Sequence, residues 1–124
     1  MEDLTKAEEK LMKVLWKLKK AFLKDILDEM PEPKPAKTTI ATFLKRMVDK
    51  GMVGYHEYGR LREYFPKVSK SAYFSKQVKG LIGNFFNNSK TQFASFFTTE
   101  TDMTLDELKA LQEIIEEEIK KKEQ

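Results

Sequence analysis

Thr38, Ala41, Thr42 and Lys45 share one side of the segment KTTIATFLKRMVDKG, residues 37–51, with Thr39 and Arg46 on its flank. Read as an α-helix, the segment carries an apolar stripe opposite them. Ile40, Phe43, Leu44, Met47 and Val48 recur at i, i+3, i+4, i+7 and i+8. The polar side is small, hydroxylated and basic, with no acid before Asp49. Side chains of this kind suit the major groove of double-stranded DNA. Short ones allow close approach, while Lys37, Lys45 and Arg46 can take phosphates or base edges. An ordinary solvated surface helix would carry the same residues, so the flanking elements must decide between the two.

Other chemistry finds little support. His56 is the only histidine, and it falls on an expected strand, so no histidine-paired nucleophile is assembled. Without cysteine, disulfides, zinc fingers and thiolate clusters are excluded. The acidic runs Glu8-Glu9, Asp25/Asp28/Glu29 and Glu116-Glu117-Glu118 sit among lysines on helix polar faces and read as solvated charge. No phosphate-binding glycine loop, H-E-x-x-H or calcium loop occurs. Gly80-Leu81-Ile82-Gly83 imitates an RNA-binding G-x-x-G clamp, but its fillers are apolar and it lies within a helical pattern, which points to helix packing. The expectation is a non-enzyme with no cofactor and no metal.

The elements that must position the polar face can be read in order. Thr5-Lys6-Ala7-Glu8 is a capping box, opening a helix from about Lys6 to Leu18 with Leu11, Leu15 and Leu18 as its stripe and Trp16 as core. Phe22 to Met30 makes a second, short helix. Pro31, Pro33 and Pro35 force an extended link. The third helix follows at once and stops at Gly51, where a left-handed residue is wanted. Met52–Tyr58 then alternates as a strand, Gly59-Arg60 turns, and Leu61–Phe65 returns until Pro66. Helix-turn-helix followed by a hairpin is a winged helix, with Arg60 and Arg62 placed to reach phosphate or a minor groove.

Beyond Ser69 the sequence is helical again: one helix from Tyr73 and Phe74 through Leu81 to Phe85 and Phe86, a break at Asn87-Asn88-Ser89, and a short helix with Phe93, Phe96 and Phe97. A second capping box, Thr104 to Glu107, starts a last helix with Leu105, Leu108, Leu111, Ile115 and Ile119 on one side. Residues 85–97 hold five phenylalanines. So short a tail cannot enclose that apolar surface alone. It folds back on the head or packs on a second copy, and we favour the copy. The expected division is a winged-helix head, residues 1–68, and a helical dimerisation domain, residues 69–124, whose interface is the apolar set just named. Charge divides similarly. Residues 1–70 carry 16 Lys/Arg against 11 Asp/Glu, and residues 71–124 carry 7 against 9. A basic first half fits a module that meets nucleic acid with one end. With no signal peptide or long apolar run, the expected location is the cytoplasm, away from any membrane.

The chain resembles the penicillinase and methicillin-resistance repressors of bacteria, the BlaI/MecI family, over nearly its whole length. The likeness lies in Leu4-Thr5-Lys6-Ala7-Glu8-Glu9 leading to Val14-Leu15-Trp16, in Thr39-Ile40-Ala41-Thr42, Arg46 and Lys50-Gly51, in Gly59-Arg60 through Tyr64-Phe65-Pro66, and in Asp102-Met103-Thr104. It implies a mainly α protein with a small β-hairpin wing, a homodimeric repressor bound to a dyad-symmetric operator. Carried over by position, Thr38, Thr39, Ala41, Thr42 and Arg46 face the major groove. Family members often have lysine at the place of Thr38 and a larger polar residue at that of Ala41. The resemblance also implies an inactivating protease or signal protein. Where the β-lactam repressors are cleaved at an Asn-Phe bond, this chain has Phe96-Phe97, and copper-responsive relatives use C-terminal cysteines that are absent here. The operator, the regulated genes and the inducing signal are not encoded in these residues. The rival reading is a winged-helix protein–protein adaptor that does not bind DNA.

Overall fold

The capping box at Thr5 forms as its residue types demand. Glu8 N–H donates to Thr5 Oγ1 at 3.1 Å, and Thr5 N–H donates to Glu8 Oε1 at 2.9 Å. Helix α1, Lys6–Leu18, follows in this computed structural model, which describes residues 3–124. Its stripe of Leu11, Met12 and Leu15 is fully buried and meets Ile26, Ile40, Leu44, Met47, Met52 and Val53 in one core. Trp16 lies at the edge of that core, and its Nε1–H donates to the Val68 carbonyl at 2.9 Å.

The second helix begins one residue later than its periodicity predicts. Ala21–Phe22 form a short strand β1, and α2 spans Leu23–Glu29. Phe22 N–H donates to the Asp25 carboxylate at 3.0 Å, so Phe22 holds the N-cap place while its backbone stays extended. Two residues are too few to show a strand's alternation. In the proline link, Lys34 Nζ donates to the carbonyls of Leu27 (3.1 Å) and Asp28 (2.7 Å), satisfying the open C-terminal end of α2.

Helix α3, Lys37–Asp49, ends as a Schellman motif around Gly51, whose φ is +79°. Gly51 N–H donates to Val48 O and Met52 N–H to Met47 O, both at 3.0 Å. Strands β2, Val53–Tyr58, and β3, Leu61–Pro66, form the antiparallel wing, with Gly59 at φ +64° in the two-residue turn. Pro66 is the last residue of β3, paired with Val53, rather than a stop before the strand's end. The sheet order is β1-β3-β2, so the hairpin is anchored by a third strand.

Ser69 caps α4, Lys70–Phe85, accepting from Ala72 N–H at 3.0 Å. The chain divides into two compact units, Met1–Ser75 and Lys76–Gln124, inside this helix rather than ahead of it. Tyr73 explains the position. It is buried with the first unit's core, its ring lies against Trp16, and its hydroxyl donates to Glu9 Oε2 at 3.0 Å. In the second unit Asn87 and Asn88 take positive φ between helices. Helix α5, Lys90–Glu100, is capped by Ser89, and α6, Leu105–Glu123, by the Thr104–Glu107 box. Phe86 gathers Phe93 and Phe96, with ring centroids at 5.5 and 5.3 Å. Neither α5 nor α6 buries a residue. Gly83 lies against Asn88, so a close approach explains it, whereas Gly80 borders open space and helix packing does not. No helix among the described residues is long and apolar enough to cross a membrane.

Candidate nucleic-acid interface

With Ile40, Leu44 and Met47 fixed in the core, α3 can turn only its other side outward. Lys37, Thr38, Thr39, Ala41, Thr42, Lys45 and Arg46 are all exposed on it. Thr42 Oγ1 donates to the Thr38 carbonyl at 3.0 Å. Arg46 reaches over the Phe43 ring, 5.9 Å from its centroid, which leaves the guanidinium at the surface.

The far end of α3 is held by a partly buried ion pair. Lys50 Nζ lies 2.6 Å from Glu8 Oε1 and also donates to the Asp3 carbonyl at 3.2 Å. Glu8 is withdrawn from solvent, and that burial pushes its carboxyl up. The hydrogen bond and charge of Lys50, with the bonds from Thr5, outweigh it and hold the group below the ordinary glutamate value. Burial and the hydrogen bond to Glu9 raise the Tyr73 hydroxyl above its usual value. The recognition-like helix is thereby tied to the capped start of α1.

Arg60 and Arg62 stand exposed on the wing. The Arg62 guanidinium covers the Tyr55 ring, 4.3 Å from its centroid, and its Nε is 3.6 Å from Glu57 Oε1. Both arginines line a groove of about 570 Å³ together with Lys37 at the start of α3 and Lys24 and Asp25 on α2. Four cations and one acid thus border a channel between helix and wing. Lys24 went unnoticed in the sequence because it sits one residue from an acid on a short helix; only the fold brings it beside Arg60. His56 stacks on Phe65 at 5.0 Å. No cluster of metal-ligating side chains occurs among the described residues.

The tail residues expected at an interface separate into two groups. Tyr73 belongs to the first unit's core and leaves the set, and Phe74 packs on Trp16 while remaining partly exposed. Leu81, Phe85, Phe96, Phe97, Leu105, Leu108, Ile115 and Ile119 are exposed; Phe86, Phe93 and Leu111 are half-buried. Ile114, 59% exposed, joins them and was overlooked beside Ile115, although it follows Leu111 at i+3.

Comparison with known proteins places the chain in a family. A family model described as penicillinase repressor matches residues 4–117. The penicillinase repressor of Bacillus licheniformis is 26% identical over 116 residues, 93% of this chain and 91% of that protein. The methicillin resistance regulatory protein MecI of Staphylococcus aureus (strain N315) is 24% identical over 114 residues, 91% of this chain and 93% of its own length. The solution structure of the DNA binding domain of the repressor BlaI matches with TM-score 0.51 and 30% identity, over 59% of this chain and 94% of that one. A mutant MarR from E. coli shares the fold alone, with TM-score 0.51 and 16% identity over 94% of this chain and 79% of its own. From its capped first helix to its last, the chain belongs to the penicillinase repressor family.

Proposed function

We propose that the protein is a sequence-specific DNA-binding transcriptional repressor that acts as a homodimer on a dyad-symmetric operator. The observation that carries the reading is the outward side of α3, where Thr38, Ala41, Thr42, Lys45 and Arg46 stand exposed while the same helix supplies the core. Thr38, Thr39, Ala41, Thr42 and Arg46 meet base edges in the major groove. Lys37, Lys45, Arg60 and Arg62, with Lys24, meet phosphates and supply most of the affinity. Relatives named as a penicillinase repressor and as a methicillin resistance regulatory protein support a regulatory rather than catalytic role, and a protein that binds DNA in a bacterium works in the cytoplasm.

Residues 69–124 serve as the dimerising part once Tyr73 is set aside. Phe85 is 74% exposed and Leu105 66%, which a lone chain would leave in water. Burying one such side chain is worth roughly 1.5–3 kcal/mol, so a second copy gains much by covering them. Two α3 helices then enter successive major grooves, one helical turn or a multiple apart. An inactivating protease or signal protein is the means of release from DNA that the resemblance to the family implies. The Phe96–Phe97 bond lies inside α5, so a protease acting there has to unwind that turn first.

A gel shift on the promoter upstream of the protein's own gene tests this reading. The full chain should retard that duplex at low salt and resist unrelated competitor DNA. A chain ended before Leu105 should sediment as a monomer and bind more weakly. A full chain that retards no duplex would leave the protein–protein adaptor as the better reading.

A further inference from the structure

The outward side of α3 offers an unusual selection of base-reading groups. Residues 37–46 include no Asn, Gln, Asp or Glu. Adenine is ordinarily read by the paired donor and acceptor of Asn or Gln, and cytosine by a carboxylate. Neither reader is present. Guanine is left to Arg46 or Lys45, and thymine to methyl contact.

Thr42 is oriented for that contact. Its hydroxyl donates to the Thr38 carbonyl one turn back, at 3.0 Å, so the proton it could offer a base is already used. With the oxygen engaged by the backbone one turn back, the γ-methyl is the group that exposed Thr42 has left to offer a base. Ala41 is exposed next to it and presents a methyl group alone. Together they form a small apolar patch on an otherwise basic surface, with Lys45 one turn further on.

We propose that Ala41 and Thr42 read thymine 5-methyl groups, making the thymine methyl a specificity determinant of the operator. The inference rests on the DNA-binding reading above and deepens it. The buried counterpart of such a contact is one methyl group in each half-site.

The test begins by selecting a duplex from a random pool with the full-length chain. Thymine is expected at a fixed place in each half-site. Replacing it by deoxyuridine removes only the methyl and should weaken binding by about four-fold per half-site, the worth of one buried methyl group. Thr42→Val keeps the methyl and loses the hydroxyl, and should keep the unmodified chain's ratio of affinities for thymine and deoxyuridine duplexes. Thr42→Ser keeps the hydroxyl and loses the methyl. It should bind the thymine duplex more weakly and lose little more on deoxyuridine. Equal affinity for thymine and deoxyuridine duplexes would overturn the inference while leaving DNA binding intact, as would additive losses for Thr42→Ser and deoxyuridine. Failure to select any duplex removes the DNA-binding reading itself, and this inference with it.

Discussion

Glu8 and Lys50 show how a charged side chain survives in this core. Glu8 Oε1 receives Lys50 Nζ at 2.6 Å and Thr5 N–H at 2.9 Å, so the buried carboxylate is paired through that oxygen, while Oε2 is buried without a hydrogen-bond partner among the described residues. Because its folded-state value lies below the ordinary 4.5, the pair contributes full stability above that pH and loses it as pH falls through the lower folded value. Urea titrations at several pH values should show Glu8→Gln less stable than the parent near neutrality. The gap should narrow as pH falls through the lowered folded-state value and the parent protonates. Glu8→Ala, which also removes the capping-box acceptor, should cost about 2–4 kcal/mol at neutral pH, short of a fully buried case because Lys50 can reach water. On the binding surface, Arg46→Ala should weaken operator binding by roughly 1–3 kcal/mol if the guanidinium meets a base, with folding stability unaltered. An unchanged affinity would remove Arg46 from the interface.

Helix α3 depends on its two ends as much as on its stripe. Its C-terminal turn closes through Gly51 at φ +79°, and no atom lies near enough to obstruct an added Cβ. Gly51→Ala therefore isolates backbone strain from steric conflict, and thermal denaturation should show a loss of about 1–2 kcal/mol. Helix α6 presents the reverse case, a well-capped helix whose apolar side has no cover of its own. Placing a charge there with Ile115→Asp should leave the helix content of the head unchanged and shift sedimentation toward monomer. A dimer of undiminished stability would move the interface elsewhere. Sequence periodicity identified this helix well but took one apolar residue per turn and so passed over Ile114. Periodicity predicted α2 less well, because the extended conformation of Phe22 arises from pairing with Glu63 of β3, not from its neighbours in sequence.

For the whole molecule, four cations of the basic first half, Lys24, Lys37, Arg60 and Arg62, border one groove between the wing and the start of α3. Affinity for duplex should therefore fall steeply with salt. Lys24→Ala should reduce the slope of log K against log salt by about 1, while weakening all sequences alike. A slope equal to the parent's would take Lys24 off the phosphate backbone.

Much of this protein was decided by contacts within a few residues. Thr5 with Glu8, Thr104 with Glu107 and Gly51 with Val48 fix where helices begin and end, and such contacts are visible as residue types at short spacing. The apolar stripe of α3 likewise fixed which of its sides faces away from the core, since burying Ile40 and Leu44 leaves Thr38 and Thr42 outside. Only the tertiary structure joined Glu8 to Lys50 across 42 residues, set Lys24 beside Arg60, made a strand of Ala21–Phe22 and took Tyr73 into the head's core. Those outcomes depend on which distant surfaces meet, and no local pattern carries that information.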